Sequence, residues 1–146
     1  MTNIEGFEIP EDLYYDVENH VWVKIVDNFV LVGLDDVGQY LARRIVFIKP
    51  KPPGSAISKG EPIAIIESVK WVGPIPSPLT GTVIEINQEV LRRPALINQK
   101  PYDAWIAKLR PEKLSEEIKY LVIGNDAIEK QHQDIIKRKV RKTRLK

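Results

Sequence analysis

The stretch Gly60-Glu61-Pro62-Ile63-Ala64-Ile65-Ile66-Glu67-Ser68-Val69-Lys70-Trp71-Val72-Gly73-Pro74-Ile75-Pro76-Ser77-Pro78-Leu79-Thr80-Gly81 decides how this chain is read. An apolar strand over residues 63–66 runs into a short polar segment that holds Lys70. A second extended segment then reaches Ser77-Pro78-Leu79-Thr80-Gly81. Pro74, Pro76 and Pro78 alternate after Gly73, and proline cannot donate to a sheet ladder, so this segment belongs at a sheet edge. Gly60 lies ten residues before Lys70 and Gly81 eleven after it. That near-symmetry predicts a hairpin with Lys70 at its tip and the two glycines turning the chain at its base. A lysine so placed stands on a flexible stem above a rigid platform, which suits a covalent attachment point. Taken alone, a surface lysine is ordinarily a solvated charge, so the rest of the chain has to support the reading.

Outward from the hairpin, short β-rich stretches cover residues 20–26, 29–34, 45–48, 62–67, 82–87 and 104–109. Val21, Val23 and Ile25 alternate with Trp22, Lys24 and Val26, a period of two with one mostly apolar face. Asp27-Asn28 reads as the turn of a hairpin. Residues 35–42 predict a short helix with Asp35 as N-cap and Val37, Tyr40 and Leu41 inward. Pro50-Lys51-Pro52-Pro53-Gly54 is a turn or loop, because consecutive prolines fix φ and remove donors. Ser115-Glu116-Glu117 opens a short helix that ends near Gly124. Asn125 is placed to cap a longer one with Ile128, His132, Ile135, Ile136 and Val140 on one stripe. The expectation is a mainly β domain with peripheral helices over residues 1–124, followed by a C-terminal helix and basic tail over 125–146.

Length and composition narrow the function. The 146 residues suit one domain with a sizeable core, and 43% hydrophobic with 29% charged residues describe a folded protein. With no cysteine, a disulfide framework, a zinc–thiolate site and a thiol nucleophile are all excluded. Apolar runs are too short to span a membrane and the start does not resemble a signal peptide, so a cytoplasmic protein is expected. The net charge of +2 averages two unlike regions. Residues 137–146 hold seven basic residues and no acid, leaving 15 basic against 20 acidic residues in the body, a charge of −5. His20 and His132 stand far apart with no partner at metal-ligand spacing, which predicts structural roles and no metal. No phosphate loop or catalytic motif is found.

The block Glu67-Ser68-Val69-Lys70, with Gly60-Glu61-Pro62 before it and Ser77-Pro78-Leu79-Thr80-Gly81 after, resembles the lipoyl-attachment region of glycine cleavage system H proteins. His20-Val21-Trp22-Val23 resembles an early block of that family. So do the segment from Val32-Gly33-Leu34-Asp35 to Gln39, then Ile45-Val46-Phe47, Pro94 to Asn98, and Pro101-Tyr102 with Trp105. The likeness is co-linear over residues 13–110. It implies a lipoyl/biotinyl-type hammerhead β-sandwich. It also implies lipoate in amide linkage to Lys70, with Glu67, Ser68, Val69 and Trp71 beside it in the cofactor-binding segment. Such a protein catalyses nothing alone. The resemblance implies as partners a lipoate-attaching enzyme, a dihydrolipoamide dehydrogenase-like reductase, and client enzymes between which the arm carries a sulfur-bound intermediate.

Departures from the family concentrate beside Lys70. H proteins follow the lysine with small residues and a Ser-Asp pair, where this chain has Trp71-Val72-Gly73-Pro74-Ile75-Pro76. Gly73 to Pro76 offer no polar side chain, whereas an aminomethyl cargo needs acceptors and negative charge. Lys70-Trp71-Val72-Gly73-Pro74 is similar to H-like lipoate-binding proteins that serve a heterodisulfide-reductase-like complex in sulfur oxidation. Both clients, glycine cleavage and sulfur oxidation, stay open, with the local chemistry leaning toward sulfur. Arg43-Arg44 replaces a Gly-Asp pair of the family and reads as a solvated helix end. A biotin carrier shares the fold, but Val69 and Trp71 flank the lysine where biotin acceptors have methionines. The basic tail raises a further alternative, a nucleic-acid or acidic-partner binder, although it lacks interleaved aromatics.

Overall fold

The computed structural model describes residues 1–142. Two short strands, β1 (Thr2–Ile4) and β2 (Phe7–Ile9), are joined by Glu5 and Gly6, both at positive φ, the loop that matches strand twist. β3 (Tyr14–Asp16), β4 (Val21–Val26) and β5 (Phe29–Leu34) follow, and Asp27-Asn28 closes the expected hairpin by pairing Val26 with Phe29. Helix α1 (Asp36–Ala42) is capped as expected by Asp35, whose carboxylate accepts from the Gly38 amide at 2.8 Å. Next come β6 (Ile45–Pro50), β7 (Ala56–Ile57), β8 (Pro62–Ser68), β9 (Val72–Pro76) and β10 (Gly81–Ile86). Short helices α2 (Gln88–Arg92) and α3 (Leu96–Gln99) lead to β11 (Ala107–Pro111). α4 (Leu114–Glu117), a 3-10 turn at Ile118–Tyr120 and α5 (Gly124–Arg138) complete the order.

Six strands in the order β3-β4-β5-β11-β10-β7 form one sheet, and β6-β8-β9 form the sheet that faces it. Val21, Val23, Val32 and Val83 of the first meet Ile48, Ile63, Ile66 and Ile75 of the second in one buried core. Alternation along the strands sends these side chains inward and their neighbours out. The fold is the mainly β hammerhead sandwich that the resemblance implies. β9, with its alternating prolines, lies at the edge of the three-stranded sheet, where its missing donors cost no ladder bond.

The alternation expected over residues 20–26 holds only in part, because this end of the sheet is covered on both faces. Trp22 points away from the sandwich into a second cluster with Phe7, Tyr15, Val37 and Ile135, while Ile25 and Val26 are exposed. Gly33 lies opposite Trp22 on the ladder, and a Cβ there would stand 2.6 Å from the indole ring. The final strand begins at Ala107 rather than Ala104. Ala104 and Ile106 are buried before it, and the Ile106 amide donates to the Val32 carbonyl at 2.7 Å.

The C-terminal helix departs most from its sequence reading. Asn125 is not its cap. Ile123 holds that position without a side-chain bond, and the Gly124 amide donates to the Glu11 carbonyl at 3.1 Å. A tertiary contact thus satisfies an amide that a cap would otherwise serve. The inward stripe is Ala127, Gln131 and Ile135, whereas His132 and Ile136 face solvent. Gln131 and Asp134 bond to Asp35 and His20, so a polar network sets the rotation of α5 rather than the greatest apolar area. Beyond α5 the tail folds back on the body. Arg141 lies 3.5 Å from Glu5 and Lys142 lies 2.8 Å from Asp36. These two basic residues tie the first part of the tail to the body. Arg144 and Lys146 lie outside the described residues.

Candidate functional site

Strands β8 and β9 pair antiparallel with Glu67 opposite Val72, so Val69 and Lys70 form a two-residue tip between Ser68 and Trp71. Ser68 builds that tip. Its amide donates to the Trp71 carbonyl at 2.7 Å, and its buried Oγ accepts from the amides of Lys70 at 3.2 Å and Trp71 at 2.9 Å. A serine hydroxyl serves turn amides in this way because it competes well for local backbone groups. The Val69 amide donates to the Arg44 carbonyl at 3.0 Å, which fastens the tip to the entry of β6. Lys70 is exposed, as the sequence predicts. Gly60 turns the chain at φ 92°, its amide donating to the Ser77 carbonyl at 2.8 Å. Gly81 does not turn it. Gly81 opens β10, and its missing Cβ makes room for the Arg110 carbonyl, which would lie 2.4 Å away.

A cleft of about 530 Å³ opens beside the tip, between the hairpin, the α1 corner and the end of α5. Lys70, Trp71 and Ile75 of the hairpin line it, with Leu41, Arg138 and Glu18 among the groups from outside the hairpin. The other segment residues do not reach it. Ser68 shapes the turn, while Glu67 and Val69 lie exposed on the outer surface. Trp71 lies over Gly73, where a Cβ would come within 2.1 Å of the ring. The tryptophan and the glycine therefore occur as a pair, and the flat indole forms part of the cleft wall. Glu18 and Arg138 were not singled out from sequence. Glu18 adjoins the His20 block and so had a local signal; Arg138 had none, because the folding of α5 brings it there.

His20 anchors the floor of the cleft. It is 2% exposed, with Nδ1 3.0 Å from Asp35 Oδ2 and Nε2 2.6 Å from Asp134 Oδ2. Gln131 Nε2 donates to the same Asp35 oxygen at 2.8 Å, and Arg138 Nε donates to Asp134 at 2.8 Å. Burial by itself pushes the imidazole pKa down, but charge and hydrogen bonding from Asp35 and Asp134 together outweigh it, and the pKa is raised. A raised folded-state pKa gives stability that is complete below the unfolded value of about 6.5 and is lost as pH rises through the folded value. Urea midpoints measured between pH 5 and 9 should therefore fall with rising pH in the native protein. His20→Gln should flatten that slope; an unchanged slope would show that His20 is not its source. Tyr15 and Tyr102, raised mainly by burial, act only at higher pH.

What this geometry offers is a handle: a lysine on a rigid tip, and a cleft beside it for whatever the lysine bears. That is the design of lipoyl/biotinyl-type carrier domains. Residues 13–135 match the glycine cleavage H-protein family. Glycine cleavage system H protein 2 of Aquifex aeolicus is 47% identical over 127 residues, covering 86% of this chain and 79% of the relative. A probable glycine cleavage system H protein 3 of Sulfurisphaera tokodaii is 44% identical over 131 residues, covering 85% of this chain and 95% of the relative. The crystal structure of a glycine cleavage system H protein from Mycobacterium marinum matches with a TM-score of 0.75 at 28% identity, covering 86% of this chain and 98% of that one. The chain belongs to the glycine cleavage H-protein family. Its members are non-catalytic carriers with lipoate bound covalently to a lysine, and they work with lipoate-attaching and glycine cleavage enzymes. Among the described residues, no helix is long and apolar enough to cross a membrane, and no group of three or more His, Asp or Glu is placed to hold a metal.

Proposed function

We propose that Lys70 bears the lipoyl group and that the cargo it carries is sulfur rather than an amine. The observation that carries this reading is the tip beside an apolar cleft whose hairpin wall, Trp71 with Pro74, Ile75 and Pro76, brings no carboxylate or hydroxyl. The hydrocarbon part of a lipoyl arm fits that lining, with Trp71, Ile75 and Leu41 as its contacts. When bound, the group supplies the dithiol that a cysteine-free chain lacks. The protein's own part is to hold the attachment point rigid through Ser68, to remove the ammonium charge of Lys70 on amide formation, and to shelter the arm. A heterodisulfide-reductase-like complex is then the client, with a dihydrolipoamide dehydrogenase-like reductase and a lipoate-attaching enzyme as further partners. The numerals in the names of the two relatives, 2 and 3, point to several H proteins in those organisms, which leaves room for a second client.

Glycine cleavage is the second reading. Glu18 and Asn19 line the cleft opposite the hairpin and can accept hydrogen bonds from an amine. Supplying the lipoylated protein to glycine decarboxylase separates the two. Aminomethyl loading is expected to be roughly tenfold or more slower than with a glycine cleavage H protein, the loss of one positioned charge-assisted contact. Loading at an equal rate would overturn the sulfur reading.

A further inference from the structure

Few charged groups face the cleft: Lys70, Glu18, His20 and Arg138. Lys70 loses its charge on acylation, and buried His20 commits both ring nitrogens to Asp35 and Asp134. Arg138 differs. It is the last residue of α5, its side chain is 39% exposed, and its Nε donates to Asp134 at 2.8 Å. That bond engages Nε and leaves the fork of terminal nitrogens to other partners. Asp134 is shared by His20 and Arg138 through one oxygen, and Asp35 pairs His20 from the other side; neither carboxylate lines the cleft, whereas Arg138 does. The chain Asp35–His20–Asp134–Arg138 thus holds a cation in place at the cleft, with Glu18 the one carboxylate lining it among the described residues.

We propose that Arg138 is a specificity-determining residue, whose guanidinium favours cargo that carries negative charge on or beside sulfur, such as a persulfide or a sulfur oxyanion. A planar fork of donors suits oxyanions and repels an ammonium. The inference rests on the reading that Lys70 bears the arm, and it extends that reading to the charge of the cargo.

The cysteine-free chain allows a test that does not depend on lipoylation. In the full-length protein, Lys70→Cys places a unique thiol at the tip, and its exchange rate is read with an anionic disulfide, dithiobis-nitrobenzoate, and a neutral one, dithiodipyridine. Taking the ratio of the two rates cancels any change in thiolate fraction. Adding Arg138→Gln should lower the anionic-to-neutral ratio by about two- to fivefold, and the difference should shrink at high salt. Arg138→Lys should keep most of the ratio, and Glu18→Gln should raise it. An unchanged ratio in Arg138→Gln, including the case where both rates move together because α5 has shifted, would overturn the proposal. Attachment to Lys70 is measured separately by intact mass, so failure of one does not pass for failure of the other.

Discussion

Lys70→Arg protein, co-expressed with a lipoate-attaching enzyme, is expected to show no lipoyl adduct by intact mass, while the native chain is converted. Lys70 is exposed at a two-residue tip and takes no part in the hydrogen bonds that hold it through its side chain. The tip is built by Ser68, the Trp71 carbonyl and the Arg44 carbonyl, all of which remain in the variant. Stability should therefore change by less than about 0.5 kcal/mol, as for other exposed substitutions. Arginine keeps the charge but presents a guanidinium that is too weak a nucleophile for acylation, so a loss of adduct reports chemistry rather than unfolding. Transfer activity in any client assay should disappear with the adduct. A lipoyl mass on the variant would move the attachment point elsewhere and remove the basis of the carrier assignment to this hairpin.

Asp35→Ala should have the largest effect on stability. Asp35 is completely buried and serves three elements at once. One oxygen accepts from the Gly38 amide and caps α1; the other meets His20 Nδ1 at 3.0 Å and Gln131 Nε2 at 2.8 Å. Removing the carboxylate leaves the His20 imidazolium with Asp134 alone, uncaps α1 and loosens α5. Breaking a buried ion pair from one side costs about 3–5 kcal/mol, a large fraction of the roughly 5–15 kcal/mol that holds a domain folded. The denaturation midpoint should fall accordingly, and amide exchange along α5 should accelerate. Asp35→Asn keeps an acceptor for Gly38, so it should recover about 1 kcal/mol, the worth of the cap, but not the ion pair. Equal stability of the alanine variant and the native protein would mean that the network contributes nothing to the fold.

This aspartate also marks where sequence reading stops. Its role as the cap of α1 was legible, because capping is local: a short acceptor side chain just before an apolar helical pattern. Its bonds to His20 and Gln131 were not, since those partners lie 15 and 96 positions away and no local pattern connects them to it. The same division runs through the site. Lys70, its hairpin and the edge position of the proline segment follow from spacing and proline chemistry. Gly60 was read correctly as a turn. Gly81 was not, because a glycine kept for a close backbone approach looks in sequence like one kept for a turn. His132 and Ile136 satisfied a helical period but face solvent, because hydrogen bonds from Gln131 and Asp134 rotate α5 away from its most apolar face.

By itself, the sequence determined a mainly β domain, the tip lysine and, through resemblance, the sandwich and the family. These depend on strand alternation, turn chemistry and motif order, all of which are properties of neighbouring residues. Tertiary structure alone decided that the basic tail is tied to Glu5 and Asp36 and that Arg138 lines the same cleft as Lys70. Contacts of that kind arise when the two sheets close and α5 docks on His20, and the free energy that selects them is shared among residues that no local pattern connects.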